Sequence, residues 1–383
     1  MEDYIICIAF IALGFILSLI IESIILPKII LISRKKSLFD VPDERKLHEN
    51  PVPRLGGVSF LPILLLVLLI VLYIKVNIWN FRLETLGTLM MLVCGMLILY
   101  ITGIKDDLSG VSYQKKFLMQ FIASIFLVCS GTYINNFYGL FGIYEIPMVI
   151  GIPFTMLLCI FITNSINLID GLDGLASGIS AFALVAYGYM FFISKQWSFS
   201  ILCFSMLGIL VPFFYYNVFS KNKIFMGDTG SLLLGYLLSF LGIRLAMNIP
   251  ELSVSYPSNS ILTAGAALFV PMFDAIKVMY ARLCIHRSMF CPDRRHIHHR
   301  LVDIGISHRS AMLILVSAAI IITLSNYYAA KYIDINIIFI TDVITIYICN
   351  KTIAYQRYKK KVLITSLVKF PKEEFQDHKK EIE

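Results

Sequence analysis

Long apolar runs separated by short polar segments dominate the chain. Ile5 to Ile32, Val58 to Ile74 and Ile201 to Phe219 each reach or approach the roughly 20 residues a helix needs to cross about 30 Å of hydrocarbon. The runs are continuous and do not alternate with period two, so a barrel with inward polar residues at every second position is excluded and helices carry them. Setting the polar breaks against the apolar runs predicts about eleven spans. They lie near 4–32, 56–75, 84–104, 116–134, 147–166, 175–194, 200–219, 230–249, 259–281, 309–327 and 336–350. The expected fold is an all-α polytopic membrane protein, with a transmembrane domain over 1–350 and a charged tail over 351–383.

Basic residues orient the bundle. One set of loops holds Arg34, Lys35, Lys36, Arg45, Lys46, Arg54, Lys105, Lys115, Lys116, Lys221, Lys223, Arg282, Arg287, Arg294, Arg295, Arg300 and Arg309, followed by the Lys-rich tail. The other holds little beyond Lys75, Arg82, Lys195 and Lys331. The positive-inside rule makes the first set cytoplasmic, with the N-terminus outside and the C-terminus inside.

Composition agrees with lipid as the solvent: of 383 residues, 58% are hydrophobic and 15% charged. The net charge of +8 then follows from topology and calls for no nucleic acid. The 8 cysteines fall mostly inside apolar runs with no CxxC pairing, and read as small packing residues. The first run has acidic Glu2 and Asp3 before it, no basic n-region and no small-residue cleavage site, so it is expected to be a retained span.

Polar clusters interrupt this pattern at the cytoplasmic ends of spans. Asp106 and Asp107 follow the third span; adjacent carboxylates repel unless a cation neutralises them, although an isolated pair is also an ordinary solvated helix end. Asn167, Asp170 and Asp173 recur at i, i+3 around two glycines, in a stretch where a turn explains the glycines but not the acids. Asp228, in a Met-Gly-Asp-Thr-Gly-Ser segment opening the eighth span, reads either as an N-cap or as a hard-oxygen ligand for Mg²⁺. Asp293 to Arg300 packs three histidines (His296, His298, His299) and three arginines into eight residues, suited to phosphate or sugar hydroxyls. Zinc is the weaker reading there because no cysteine or second histidine pair completes the ligands. The segment from Asp40 to Gly57 is rich in Pro, Gly and basic residues, and its Lys46, His48 and Arg54 could meet a lipid phosphate.

At these motifs the chain resembles the polyprenyl-phosphate N-acetylhexosamine-1-phosphate transferases. The resemblance covers about residues 40 to 301 and rests on the PDxRKxH…PxPRxGG, GIKDDLSG, NLIDGLDGLASG, IFMGDTGSLLLG and RRHIHHRL segments in that order. It implies transfer of an N-acetylhexosamine-1-phosphate, with GlcNAc-1-phosphate expected, from a UDP-N-acetylamino sugar to undecaprenyl phosphate, releasing UMP. It also implies Mg²⁺, with Mn²⁺ as the alternative, and residence in the bacterial cytoplasmic membrane with the site facing the cytoplasm; a homodimer is compatible with it. Carried over by residue, Asp228 and Asn167 are expected at the metal, Asp106 as base and Asp107 as orienting partner, and Asp170 and Asp173 at the nucleotide end. Lys46, His48, Arg54 and Lys115 are expected to contact substrate, and His296, His298, His299 and Arg300 to form the sugar-recognition loop. The HIHH spelling departs from the HHHFE-like pattern of the MurNAc-pentapeptide translocase and argues against a peptidoglycan precursor. Transport is the competing class, since Glu22, Asp274 and Asp342 fall within or near spans; transporter sites sit at the midplane, whereas these clusters sit at span ends.

Overall fold

The computed structural model describes residues 2–40, 52–79, 85–247, 260–284 and 296–369. Each run read as a span is helical. In chain order the helices are α1 (Glu2–Lys35), α2 (Phe60–Trp79), α3 (Leu86–Ser109), α4 (Tyr113–Cys129), α5 (Met148–Ile169), α6 (Leu175–Ile193) and α7 (Trp197–Val218). They continue with α8 (Gly227–Ala246), α9 (Ser260–Ala266), α10 (Phe269–Leu283), α11 (Ile297–Asp303), α12 (His308–Ala329) and α13 (Ile335–Lys369). Among the described residues, 9 helices are long and apolar enough to cross a membrane. The only strands described are the two-residue pair Phe39–Asp40 and Val52–Pro53, so the class is all-α.

Two expected spans differ in form. The fourth, α4, has 17 residues. The ninth is broken: α9 ends at Ala266, Ala267 and Leu268 form a turn, and α10 begins at Phe269. Pro271 accounts for the break, because a continuous helix would drive its ring into the carbonyl of Ala267, whereas in the first turn of α10 its missing N–H has no intrahelical partner to lose. At the other end of the chain, α13 runs unbroken from the last span through to Lys369, across the 350/351 boundary drawn between membrane domain and tail.

Helix α8 is the axis of the bundle. Nearly all its residues are buried, and it packs on α3, α5, α6 and α9, so the two-sided apolar face of the sequence is matched by protein on all sides. The α3–α8 contact is close enough that a Cβ at Gly103 would lie 2.4 Å from Thr229 Cα. Small residues at such crossings let backbones approach where lipid provides no hydrophobic drive for association. That approach sets the C-terminal end of α3, with Asp106 and Asp107, directly against the N-terminal end of α8, with Asp228. Of the acids near the spans, Glu22 accepts from Ser59 at Oε1 (2.9 Å) while its Oε2 is buried with no hydrogen bond among the described residues, Asp342 accepts from Asn326 (2.7 Å), and Asp274 from groups described below.

Candidate active site

Helix termini leave backbone groups unpaired, and the N-terminus of a helix carries a partial positive charge. The start of α8 is satisfied from another element. Asp107, almost fully buried, accepts the N–H of Asp228 at Oδ1 (2.9 Å), and at Oδ2 the N–H (3.0 Å) and hydroxyl (2.6 Å) of Thr229. Gly227 makes this possible: its φ is +72°, and a Cβ there would fall 2.2 Å from the Arg54 carbonyl and 2.6 Å from Asp107 Oδ2. Asp107 therefore holds the N-terminal backbone of α8 in place.

Asp228 then projects beside Asp106. Oxygens of Asp106, Asp107 and Asp228 lie within 4.8 Å of one another, and Lys116 bridges two of them, at 2.8 Å from Asp106 and in direct contact with Asp228. Asp106 also accepts the Val111 N–H (2.6 Å), which fixes the turn from α3 to α4. Asn167, from the end of α5, donates its amide nitrogen to Asp228 (3.3 Å) and to Ser231 (2.8 Å), so it orients the Asp228 carboxylate rather than offering it an oxygen. Three closely spaced hard-oxygen carboxylates, only partly balanced by one ammonium, fit a divalent cation of the Mg²⁺ type. Asp106 and Asp228 would hold it, with Asp107 behind them.

The second acidic segment is joined to the first through α7. Asn217, buried at the end of α7, accepts the N–H of Gly174 (2.6 Å) and donates to the Ile224 carbonyl (2.9 Å), tying the 170–174 turn to the segment that leads into α8. Asp173 pairs with Lys223. Asp170, at the C-cap of α5, keeps some exposure but is walled by protein, and its carboxyl is pushed well above the ordinary value, first by desolvation and then by the charges of Asp228, Asp107 and Asp173.

Segment 52–57 runs alongside. Phe225 N–H bonds to Pro53 O (2.7 Å), Gly56 N–H to Phe225 O (2.9 Å) and Gly57 N–H to Met226 O (2.8 Å), which places Arg54 next to Gly227. Lys46 and His48, and the Asp293, Arg294 and Arg295 part of the basic cluster, lie outside the described residues.

The histidine segment reaches the site from the other side. His296 N-caps α11, stacks on His298 with ring centroids 5.7 Å apart, and His298 meets His299 at 4.3 Å. His298 is buried, neither ring nitrogen is hydrogen-bonded among the described residues, and its Nε2 lies 3.4 Å from where a Cβ would sit on Gly171, the neighbour of Asp170. Desolvation, then the His299 charge, pushes His298 down to about 3, so it stays a neutral imidazole. His299 and Arg300 are partly buried on the same helix.

The structure thus brings Asp106, Asp107, Asp228, Asn167, Asp170, Asp173, Arg54 and the histidines to one end of the bundle. Lys115 is the exception: it is exposed, and Lys116 turns inward in its place. On the first turn of α4 the two are about 100° apart, so only one can face the acids. Lys116 and Asn217 are the residues a reading of sequence clusters passes over.

These features define a class: a polytopic membrane enzyme with a lysine-bridged acidic site at one end of its helices. Residues 89–246, which carry both acidic segments and α8, match glycosyl transferase family 4. The chain is 33% identical over 317 residues to a Bacillus subtilis (strain 168) protein named "Probable undecaprenyl-phosphate N-acetylglucosaminyl 1-phosphate transferase", covering 82% of this chain and 84% of that one. It is 31% identical to the undecaprenyl-phosphate alpha-N-acetylglucosaminyl 1-phosphate transferase of Yersinia pestis (76% of each chain) and 29% identical to that of Escherichia coli O157:H7 (75% of each). The chain belongs to glycosyl transferase family 4, within the polyprenyl-phosphate N-acetylhexosamine-1-phosphate transferase superfamily.

Proposed function

We propose that this protein transfers GlcNAc-1-phosphate from UDP-GlcNAc to undecaprenyl phosphate at the cytoplasmic face of a bacterial inner membrane, releasing UMP and starting a cell-envelope polysaccharide. The observation that carries this reading is the Asp106–Lys116–Asp228 bridge at the N-terminus of α8, in a chain whose relatives bear that activity in their names.

Both substrates are anions, so bringing them together is the main electrostatic task. An oxygen of the lipid phosphate attacks the β-phosphorus of the donor. The bond from that phosphorus to the bridging oxygen breaks, and the oxygen leaves with UMP. A bound Mg²⁺ supplies charge neutralisation of the diphosphate and the leaving group. Lys116 presents an ammonium between the two carboxylates, where it can pass to a phosphate oxygen as substrate enters. Asp106 holds Lys116 and the α3–α4 turn; because a phosphate monoester is largely dianionic at neutral pH, with a second pKa of about 6, positioning is its principal work. Asp107 fixes the α8 N-terminus, whose dipole favours the developing negative charge. Asp170 and Asp173 line the nucleotide end, and neutral His298 offers one donor and one acceptor to the sugar.

The test is UMP release by purified protein in detergent with undecaprenyl phosphate, Mg²⁺ and a panel of UDP-sugars. Lipid-dependent UMP with UDP-GlcNAc is expected. UMP with a different UDP-N-acetylamino sugar alone would move the donor assignment, and none with any sugar from folded protein would reject the reaction.

A further inference from the structure

Asp274 lies in α10, far in sequence from every motif above, and is buried. A carboxylate there needs partners, and it has three. Oδ2 sits 2.8 Å from His296 Nδ1; Oδ1 accepts the backbone N–H of Ile297 (2.9 Å), the first residue of α11, and the ammonium of Lys277 (2.8 Å). Lys277 in turn donates to Asn350 of α13 (2.8 Å), so the carboxylate is backed by a helix on its far side.

Two consequences follow from this geometry. A carboxylate against Nδ1 requires a proton on that nitrogen, which fixes the tautomer and ring plane of His296. The near-parallel stack of His296 on His298, with an interplanar angle of 10°, passes that orientation to an imidazole that is, among the described residues, the one whose nitrogens are both buried and without a hydrogen bond, beside Gly171. Among the described residues His298 has no hydrogen bond to hold it, so its pose depends on the His296 and His299 rings against it and on where α11 begins; Asp274 fixes the His296 ring and the start of α11.

We propose that Asp274 is the positioning residue of the histidine segment, acting through His296 and the α11 N-terminus to aim His298 at the sugar nucleotide. The proposal rests on the donor-binding role assigned above to His298. Asp274 touches no reacting atom; its loss is felt in donor recognition.

Asp274→Asn keeps the size and one acceptor oxygen but cannot satisfy both Ile297 N–H and His296 Nδ1–H. In full-length protein that remains monodisperse in detergent, it is expected to raise KM for UDP-GlcNAc about tenfold or more while KM for undecaprenyl phosphate stays within about twofold. His296→Leu, which leaves the Ile297 and Lys277 contacts in place, is expected to give the same split. Equal loss against both substrates, or no change in either, overturns the proposal. A second readout needs no turnover: in wild-type protein carrying ¹⁵N-histidine, with the His296 signal assigned by its loss in His296→Leu, the proton must be on Nδ1. A His296 signal protonated on Nε2 alone overturns the proposal even if Asp274→Asn does not fold. Wild-type protein that releases no UMP would reject the reaction assignment, and the ¹⁵N spectrum would still decide the clamp.

Discussion

Lys116 and Lys115 are adjacent, yet only one balances the carboxylates. Lys116→Met removes the ammonium between Asp106 and Asp228 and leaves two like charges facing each other. UMP release is expected to fall by about 10² or more, whereas Lys115→Met is expected to stay within about twofold of wild type; a Lys115 variant that fails first would reverse the assignment. Asn217→Ala should act on stability. It strands a buried N–H of Gly174 and a buried carbonyl of Ile224, each costing about 1–3 kcal/mol, and the thermal midpoint in detergent should drop accordingly. His298 gives a pH signature. Its value is about 3 in the fold against about 6.5 unfolded, so between these the unfolded chain binds more protons and stability falls as pH drops, by up to about 1.4 kcal/mol per pH unit. Melting between pH 7 and 4 should show this slope, reduced in His298→Gln. The acidic residues of the site were legible because charge inside an apolar chain is costly and so draws attention. Lys116 was not separable from Lys115, since two neighbouring lysines at a helix start carry no phase. Asn217 was invisible, because its partners are 43 and 7 residues away and its own surroundings are unremarkably apolar.

Among the elements, the spans could be read from hydrophobicity alone because lipid imposes helix on any long apolar run. Tertiary geometry was less legible. A proline near the middle of an expected span signals a break or only a kink, and choosing between them depends on whether neighbouring helices re-satisfy the freed carbonyls; here α9 and α10 separate. The close crossing of α3 and α8 leaves only two traces on α3, Gly95 against the Tyr236 hydroxyl and Gly103 against the Thr229 backbone, two glycines among 22. The consequence of the crossing can be measured. Gly103→Ala places a methyl group 2.4 Å from Thr229 Cα, and with backbone on the other side α3 must shift. Overpacking of this kind costs about 1–3 kcal/mol. Because the same crossing sets Asp107 under the α8 N-terminus, activity should fall by about 10² at substrate saturation, a larger effect than the stability loss alone would produce. Activity that merely tracks the folded fraction would show that the crossing does not set the site. At its C-terminal end α11 is held by α13, through Arg357 on Asp303 (2.5 Å) and Lys360 on the Asp303 carbonyl (3.0 Å), so the histidine helix is gripped at both ends by separate helices.

At the scale of the molecule, every described element that carries a candidate site residue brings it to the same end of the bundle, and the distribution of lysine and arginine along the sequence predicts that this end faces the cytoplasm. The two statements have different origins: one comes from packing, the other from the bias of loop charge during insertion. The proposed reaction gives their agreement a chemical reason, because its nucleotide sugar would be supplied on the cytoplasmic side while the acceptor's phosphate meets it at the interface with the tail in lipid. Orientation can be measured without any assumption about turnover. Lys221 is exposed near the site between α7 and α8, and Tyr144 is exposed at the opposite end between α4 and α5. In a background with the native cysteines replaced, a single cysteine at Tyr144 should react in intact cells with a membrane-impermeant maleimide. One at Lys221 should react only after the membrane is opened. The reverse pattern would place the acidic site outside, where UDP-sugars are absent, and the transferase reading would fall with the orientation. Labelling at both positions in intact cells would instead point to a path through the bundle, which is the behaviour of a transporter.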